Sequence, residues 1–368
     1  MSQEYYRPTF IHINLQAIQA NIQRLKKTLP THTNIMAIIK ANAYGHGDIE
    51  VAYAALAAGA TMLAVATPEE ALRIREAGIT AELLILGAAP ASFLQAASTH
   101  NITLTAYSLE WLQTLKPTAH PVKVHIKMDS GMGRIGFAQE DELKEAISFI
   151  QQNDWLQITG AFTHFATADE ESDVYFQKQV NKFWRLLSLL PEKPAIVHTA
   201  SSAATLHFPT QHLDAVRFGI SMYGVAPSLW MEENLPFPFE KALSLHTEVT
   251  HVKKVEKGTS IGYGTMYTAE KDEWIATLPI GYADGLLRKL HNQFVLIRGE
   301  RLPIVGKICM DQCMVRLKEQ VPIGEEVVLI GKQHSEEIRI EEWADALETI
   351  PYEVCCTLSS RIPRIYSK

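Results

Sequence analysis

The sequence has little of what marks membrane, secreted and nucleic-acid-binding proteins. It contains 4 cysteines in 368 residues, and its formal net charge is -7. No apolar run is long enough to span a bilayer, and the first residues have neither the basic start nor the apolar core of a signal peptide. An acidic chain also lacks the basic face that binds nucleic acids or anionic membranes. We therefore expect a cytoplasmic protein without a nucleic-acid or membrane partner.

The cysteines do not follow a pattern typical of disulfide frameworks or zinc sites. Cys309 and Cys313 are close in sequence, and Cys355 and Cys356 are adjacent. Adjacent cysteines rarely bridge each other, and a chain of this length does not need disulfides to fold. A zinc site would need a second Cys/His pair at ligand spacing, which does not accompany Cys309 and Cys313. We expect no metal.

Residues 1–230 alternate between short apolar runs and helical patterns. The helical patterns include 15–29, 68–77, 141–152 and 173–190. Eight runs are strand candidates: 36–39, 62–66, 83–86, 102–106, 122–126, 158–162, 196–198 and 215–218. Most are apolar throughout, as in parallel strands covered on both faces. This alternation predicts a (β/α)8 barrel. A doubly wound sheet for a dinucleotide would need a glycine-rich turn after its first strand, and residues 41–44 do not form one.

The pattern changes near residues 227–238, a proline-rich stretch that is typical of a linker. Beyond it, shorter segments rich in Val, Ile and Thr are separated by glycine-containing turns, at 245–255, 274–280, 293–298, 302–308 and 325–330. This pattern predicts a mainly antiparallel β domain. We therefore assign residues 1–230 to the barrel domain and 231–368 to a C-terminal β domain, with residues 1–14 as a candidate to pack with the β domain.

Polar residues stand at the carboxyl ends of the predicted barrel strands, where barrel enzymes place their reactive groups. They are Lys40, Lys127, Asp129, His164, His198, Ser201, Ser202, Arg217 and Gly219. Polar groups at the ends of apolar strands are costly unless they are paired, so this ring indicates a site. Partial burial would lower the pKa of Lys40 toward the neutral amine that Schiff-base chemistry requires. Taken alone, Lys40 is more simply interpreted as a strand-end lysine that reaches solvent.

Residues 37–47, around Lys40, resemble the cofactor-lysine motif of alanine racemases. The resemblance continues in order through residues 127–136, 163–166, 198–203, 216–224, 262–264, 279–285, 306–312 and 351–353. These motifs extend over nearly the whole chain, which is similar throughout to this fold-type III family. The resemblance implies pyridoxal 5′-phosphate as the cofactor and a homodimer with shared active sites.

The resemblance implies a role for each of four residues in the chemistry. Lys40 holds the cofactor as a Schiff base and exchanges a proton on one face of the substrate. Tyr263, supplied by the partner subunit, acts on the opposite face. Arg217 lies against the pyridine nitrogen and donates a hydrogen bond without giving up its proton, which limits side reactions. His164 hydrogen-bonds Arg217 and links it to Tyr263.

Other residues are implied as contacts of the cofactor or the substrate. The phosphate contacts are Tyr44, Ser202, Gly219, Ile220 and Tyr352. His198 packs against the cofactor ring, and Arg134 binds the cofactor's phenolic oxygen and the substrate carboxylate. Lys127 orients Arg134 when it is carbamylated, because a carbamate pairs with arginine. The alternative is an unmodified Lys127 paired with Asp129.

The second domain is implied to complete the site from the partner subunit. Met310 closes over the substrate carboxylate together with Cys309 and Asp311, and Tyr282 and Tyr352 narrow the entrance. Ser201 stands where many relatives have asparagine. Serine keeps a hydrogen-bonding side chain there, so we expect the same reaction.

The family implies that the protein interconverts L-alanine and D-alanine, which supplies D-alanine for peptidoglycan. A serine or broad-specificity racemase would share Lys40, Arg217 and Tyr263. A fold-related decarboxylase would carry a carboxylate in place of Arg217. A non-catalytic carrier of the cofactor would not need a second domain with Tyr263 and Met310.

Overall fold

A computed structural model describes residues 5–367 and divides them into two compact units. One, here the β unit, comprises the described residues up to 16, residues 44–47, and residues 241–367. The other, here the barrel unit, comprises residues 17–43 and 48–240. The expectation that residues 1–14 pack with the β domain includes residues 1–4, which lie outside the described residues. The domain boundary near residue 230 stays a prediction.

The barrel unit is built on parallel strands at the predicted positions. The first strand of the chain, β1 (Phe10–Asn14), belongs to the β unit. The barrel strands that follow are β2 (Asn34–Ile38), β3 (Met62–Val65), β4 (Glu82–Ile85), β5 (Leu104–Ala106), β6 (Val122–Lys127), β7 (Leu156–Phe162), β8 (Ile196–His198) and β9 (Ala215–Phe218). Each begins and ends within two residues of its prediction.

The barrel strands form two four-stranded parallel sheets, in the orders β4-β3-β2-β9 and β5-β6-β7-β8. Backbone hydrogen bonds join these sheets at both edges. The Ile85 N–H donates to the Thr103 carbonyl at 3.0 Å beside β4 and β5, and the Asp214 N–H donates to the Val197 carbonyl at 3.2 Å beside β8 and β9. The predicted barrel is confirmed.

Helices separate most of the barrel strands. They are Leu15–Thr28, Asp48–Ala57, Pro68–Glu76, Leu94–Thr99, Leu109–Thr114, Glu140–Gln151, Val174–Leu187, Ser202–His207 and Leu229–Glu233. The helix Leu229–Glu233 lies within residues 227–238, which were predicted to be a linker. It forms there because the Ser228 hydroxyl caps its first turn by accepting the Met231 N–H at 3.2 Å. Across residues 5–367, no helix is both long and apolar enough to cross a membrane.

The β unit is built on a mainly antiparallel sheet, as predicted. Its further strands are β10 (Leu243–Glu248), β11 (His251–Val255), β12 (Ser260–Ile261), β13 (Tyr267–Thr268), β14 (Glu273–Leu278), β15 (Phe294–Ile297), β16 (Glu300–Val305), β17 (Cys313–Leu317), β18 (Glu326–Gln333), β19 (Glu336–Ile338) and β20 (Arg364–Ser367). The main sheet has the order β11-β14-β17-β16-β15-β18-β10-β1-β20, in which β1 and β20 are parallel. Helices Ile340–Leu347 and Pro351–Thr357 complete the unit.

The predicted segment 245–255 is two strands rather than one. β10 pairs with β18, whereas β11 pairs with β14. The change of partner falls at two residues: the Val249 N–H donates to the Glu325 carbonyl and the Thr250 N–H to the Thr277 carbonyl, both at 3.0 Å. A continuous strand could not make both pairings, so the chain bends here.

Candidate active site

The predicted barrel residues lie at the carboxyl ends of their strands. Lys127 and His198 are the last residues of β6 and β8, and Arg217 lies within β9. Lys40 follows β2 and His164 follows β7, each by two residues. Parallel strands place their carboxyl ends at one face of a barrel, so the order of the elements accounts for this arrangement.

Arg217 is buried, and its guanidinium is held by acceptors at the end of β8 and just after β7 and β8. Its Nη1 lies 2.9 Å from His198 Nδ1 and 3.0 Å from the His198 carbonyl oxygen. Its Nη2 lies 2.8 Å from the carbonyl oxygens of Thr163 and Thr199 and 3.1 Å from His164 Nδ1. Within residues 5–367 the Nε–H has no acceptor, so it remains able to donate to a bound group.

These contacts determine which nitrogen of each histidine carries the hydrogen. Arginine can only donate, so Nδ1 of both His164 and His198 must accept, and each neutral ring carries its hydrogen on Nε2. Burial, and then the Arg217 charge, hold the pKa of both rings well below the usual value. The His164 Nε2–H is thus available as a donor.

The site carries an excess of positive charge. Arg217, Arg134, Lys127 and Lys40 all lower the pKa of His164, which places four cationic side chains near one ring. Burial is the larger cause of that shift. Burial, with a smaller effect of Arg134, also lowers the pKa of Arg217 to about 9, so it stays protonated at neutral pH. A cluster of this kind favours an anionic ligand.

Lys127 is the most deeply buried lysine of this cluster. Its Nζ donates to the Met128 carbonyl at 3.1 Å. Burial, and then Arg217, lower the pKa of Lys127 to about 7. Across the described part of the chain, Lys127 makes no ion pair with Asp129, so the alternative pairing considered from the sequence is not formed.

Asp129 instead shapes the loop that carries Arg134. Its Oδ1 accepts the N–H groups of Gly131 and Gly133 at 2.9 and 3.1 Å. Burial opposes ionisation of Asp129, but these hydrogen bonds outweigh it and lower its pKa. Gly136 closes the loop at φ +115°, where a Cβ would lie 2.6 Å from the Lys127 carbonyl oxygen. Arg134 itself is exposed.

The chain after Lys40 forms a left-handed turn. Ala41, Asn42 and Ala43 have φ of 53°, 53° and 52°, a conformation that costs roughly 1–2 kcal/mol per non-glycine residue. Glu70 holds the start of this turn, because its Oε1 accepts the Ala41 N–H at 2.6 Å. Its Oε2 accepts the Ala66 N–H at 2.7 Å, in the turn after β3. The backbone beside Lys40 is therefore fixed by its neighbours.

Of the predicted phosphate contacts, Ser202, Gly219 and Ile220 belong to the barrel unit, and Tyr44 and Tyr352 belong to the β unit. In the barrel unit, the Gly219 N–H donates to Ser202 Oγ at 2.8 Å and is therefore already engaged. Of the described residues, none accepts the Ile220 N–H, and the buried Ser221 hydroxyl has no partner either. In the β unit, the rings of Tyr44 and Tyr352 lie 6.0 Å apart. Burial, and then Tyr352, raise the pKa of Tyr44, which keeps it a phenol donor.

Tyr263 is held at the surface of the β unit. Its side chain is 69% exposed, and it begins a turn between Gly262 at φ +75° and Gly264 at φ +69°. Within the described residues its hydroxyl has no hydrogen-bond partner. Such a tyrosine is accessible to another molecule and is presented on a tightly turned backbone.

The loop that contains Met310 is held by the turn that contains Tyr282. The Tyr282 N–H donates to the Cys309 carbonyl and the Ala283 N–H to the Met310 carbonyl, both at 3.0 Å. Gly281 permits this approach, since a Cβ there would lie 2.3 Å from the Cys309 carbonyl oxygen. The Met310 side chain is 54% exposed.

A buried carboxylate that the sequence analysis did not single out stabilises this turn. Asp284 is fully buried, accepts the Gly281 N–H at 3.1 Å and pairs with Arg7 at 2.9 Å. Arg361 lies 3.7 Å from the same carboxylate and pairs with Asp311 at 2.8 Å. The two arginines thus anchor both Tyr282 and the Met310 loop.

A second missed residue is His125, inside β6. Its Nδ1 lies 3.0 Å from His198 Nε2, and its ring is buried. The sequence does contain a signal: a histidine within a strand that is predicted to be covered on both faces needs a polar partner. His198 provides that partner, and the face of the His198 ring stacks on Phe162 at 4.8 Å.

The chain matches the sequence models of two domains, the alanine racemase N-terminal domain over residues 13–227 and the C-terminal domain over residues 242–366. The chain belongs to the alanine racemase family. An alanine racemase from Geobacillus stearothermophilus is 48% identical over 366 residues, which cover 99% of this chain and 94% of that protein.

Solved structures of racemases are similar to this chain along its whole length. The crystal structure of alanine racemase from Bacillus anthracis with bound L-Ala-P has a TM-score of 0.97 and 46% identity, and the match covers 100% of this chain and 96% of that one. A histidine racemase from Leuconostoc mesenteroides has a TM-score of 0.91 and 30% identity, with 100% of both chains covered. The predicted family and isomerase class are confirmed.

Pyridoxal 5′-phosphate is the cofactor of the alanine racemase family, which confirms that prediction. The residues present fit it. Arg217 retains one unbonded N–H for a ring nitrogen, and the Ile220 N–H and the orphaned Ser221 hydroxyl are suited to phosphate oxygens. The cationic cluster favours an anionic ligand, as this cofactor is.

We expect the free energy of unfolding to fall as the pH drops below about 6.5, where an unfolded histidine becomes protonated. His125, His164 and His198 have pKa values below the usual 6.5 when folded, about 3 for His125, because burial disfavours the charged ring. Each should contribute a slope that approaches about 1.4 kcal/mol per pH unit. Urea unfolding between about pH 6.5 and 5 measures this slope, and the variant His198→Asn should reduce it. A flat profile would contradict burial of neutral rings.

Proposed function

We propose that this protein interconverts L-alanine and D-alanine, with pyridoxal 5′-phosphate held on Lys40. The observation that carries the proposal is the hydrogen bonding of Arg217, whose Nη groups are fully engaged while Nε–H remains for the cofactor. When bound, the cofactor delocalises the electrons left on the substrate's α-carbon. A protonated arginine donates to the ring nitrogen without protonating it. That choice supports racemisation over decarboxylation.

We assign the two proton transfers to Lys40 and Tyr263 on opposite faces of the substrate. We propose that Tyr263 comes from the partner subunit of a homodimer. Its exposed, unbonded hydroxyl and its rigid turn support this assignment. Because His164 Nδ1 accepts from Arg217, the hydrogen of its ring is on Nε2. This Nε2–H is a donor that can stabilise the ionised phenol of Tyr263.

The remaining assignments concern binding. Tyr44, Tyr352, Ser202, Gly219 and Ile220 hold the phosphate. Arg134 and Met310 bind the substrate carboxylate, and Cys309 and Asp311 belong to the same closing loop as Met310. His198 packs against the cofactor ring, and Tyr282 and Tyr352 narrow the entrance. The family resemblance supports these roles, as it supports a cytoplasmic enzyme that supplies D-alanine for peptidoglycan.

The activity predicts a substrate preference and a labelled residue. L-alanine should be racemised faster than L-serine or L-histidine, as followed by chiral chromatography, because the family resemblance implies a pocket for a small side chain. Borohydride reduction of the holoenzyme followed by peptide mapping should label Lys40, and Lys40→Ala should lose the label. Equal rates on all three substrates would contradict the alanine assignment, and a label elsewhere would contradict the role of Lys40.

A shared active site predicts complementation between two inactive variants. Lys40→Ala and Tyr263→Phe should each lose most activity as separate homodimers. After mixing and subunit exchange, about a quarter of the wild-type activity should return, since half of the dimers are mixed and each mixed dimer has one complete site of two. The measurement is the racemisation rate before and after exchange, with exchange verified by mass spectrometry of the intact dimers. If both residues acted within one subunit, exchange would restore nothing.

We also propose that Lys127 is carbamylated. A pKa of about 7 leaves much of this amine neutral at pH 8, so its nitrogen can attack carbon dioxide and release a proton. The resulting anion would lie beside the Arg134 and Arg217 charges.

Carbamylation predicts a protein-bound carbamate signal in the 13C NMR spectrum after equilibration with [13C]bicarbonate. The variant Lys127→Arg should lack the signal. Lys123→Arg is the matched control, because Lys123 lies on the same strand but pairs with Glu82 at 2.9 Å, and this variant should keep it. If the wild-type protein and Lys127→Arg gave the same spectrum, the assignment of the carbamate to Lys127 would be wrong.

A further inference from the structure

We propose that His125 is a positioning residue that fixes the hydrogen bonding of His198 and, through it, the orientation of Arg217. The proposal rests on the proposed function, since Arg217 is there the residue that contacts the cofactor. His125 itself lies within β6 and contacts neither cofactor nor substrate in this assignment.

The three side chains form a directed chain of hydrogen bonds. Arg217 Nη1 donates to His198 Nδ1 at 2.9 Å, and His198 Nε2 lies 3.0 Å from His125 Nδ1. Because Nδ1 of His198 accepts, its Nε2 must donate, and His125 Nδ1 must accept. Burial lowers the pKa of both histidines and keeps their rings neutral, so this order of donors and acceptors is fixed.

His125 limits His198 to one of its two neutral forms. In the other form, the Nδ1–H of His198 would face an N–H of Arg217, and neither could accept. The His125 acceptor favours the form that Arg217 needs. Phe162 adds a steric limit, because its ring stacks on His198 with only 8° between the planes.

The fold makes specific room for His125. The next strand has Gly160 beside it, where a Cβ would lie 2.5 Å from the His125 ring. The register between β6 and β7 also shifts between Val124 and His125. Room for an imidazole inside a barrel wall is costly in packing, which favours a role for the ring beyond filling space.

Loss of the His125 acceptor should weaken the Arg217 contacts without removing the phosphate contacts. In His125→Phe, the His198 Nε2–H would be buried without an acceptor, which typically costs enough free energy to change an equilibrium about tenfold. We expect the dissociation constant for pyridoxal 5′-phosphate to rise about tenfold. We expect kcat to fall by at least as much, whereas KM for alanine changes less than about threefold.

Two polar variants distinguish a hydrogen-bonding role from a packing role. The Oδ1 of asparagine is as many bonds from Cβ as Nδ1 of histidine, so His125→Asn should restore cofactor affinity and kcat to within about threefold of wild type. The Oε1 of glutamine corresponds instead to Nε2, so His125→Gln should resemble His125→Phe. Both polar variants remain informative if His125→Phe fails to fold.

The control is His212→Phe. His212 is a buried histidine of the same unit, with Nε2 2.8 Å from the Thr205 carbonyl oxygen, and it makes no hydrogen bond to Arg217 or His198. This variant should lose stability but keep the cofactor affinity. Cofactor affinity is measured by absorbance titration of dialysed protein, and kcat and KM are measured on the reloaded enzyme.

The proposal is overturned if His125→Phe binds the cofactor and turns over like wild type, or if the asparagine and glutamine variants behave alike. Failure of the proposed function is a separate result. In that case the wild-type protein would not racemise alanine, while the cofactor titrations of the His125 variants would still report on Arg217.

Discussion

The site depends on the burial of one arginine. Arg217 has lost its hydration, and its Nη groups regain hydrogen bonds from residues that follow β7 and from the end of β8. β7 and β8 are neighbours in one sheet, and β9 is the end strand of the other. A backbone hydrogen bond beside β8 and β9 joins the two sheets there. The same guanidinium therefore joins three strand ends and leaves a single N–H for chemistry. A substitution of Arg217 would disturb both the junction of the strand ends and the remaining N–H donor.

The neutrality of the surrounding histidines follows from their burial and, second, from that cation. His164 and His198 accept from Arg217, so a proton added to either ring would meet a donor in place of an acceptor. The positive charge remains on Lys40, Arg134 and Arg217, and this excess suits a cofactor phosphate, a substrate carboxylate and a carbamate on Lys127. The neutral histidine rings thus hold Arg217, and the charged side chains are left to bind anionic groups.

Much of the fold could be predicted from the sequence because most of the barrel strands are largely apolar. Their positions needed no knowledge of partners, and the strand-end residues followed from them. The break between β10 and β11 could not be predicted in this way, since it reflects a change of pairing partner. The left-handed turn after Lys40 was also missed, because it contains no glycine and is held by Glu70, distant in sequence.

The site residues were predicted unevenly for a similar reason. Motifs identified the side chains that we assign to ligand binding, such as Lys40 and Arg217. His125 and Asp284 act on other protein groups, so their roles become visible only through contacts with His198 and Arg7. The signal in the sequence was a charged or polar residue within a segment that was expected to be buried. The sequence did not show which residue it would contact.

The anchoring of Asp284 gives two residues that are far apart in the sequence an unexpected importance. Arg7 and Arg361 are 354 positions apart in the sequence, yet both approach the carboxylate that supports the turn next to Met310. Trimming a protein at its ends to aid crystallisation or to fuse it to another domain is usually regarded as harmless. In this chain, a cut past residue 7 or before residue 361 would leave a buried negative charge with fewer cations and loosen a loop far away in sequence. Engineering of this enzyme should preserve Arg7 and Arg361.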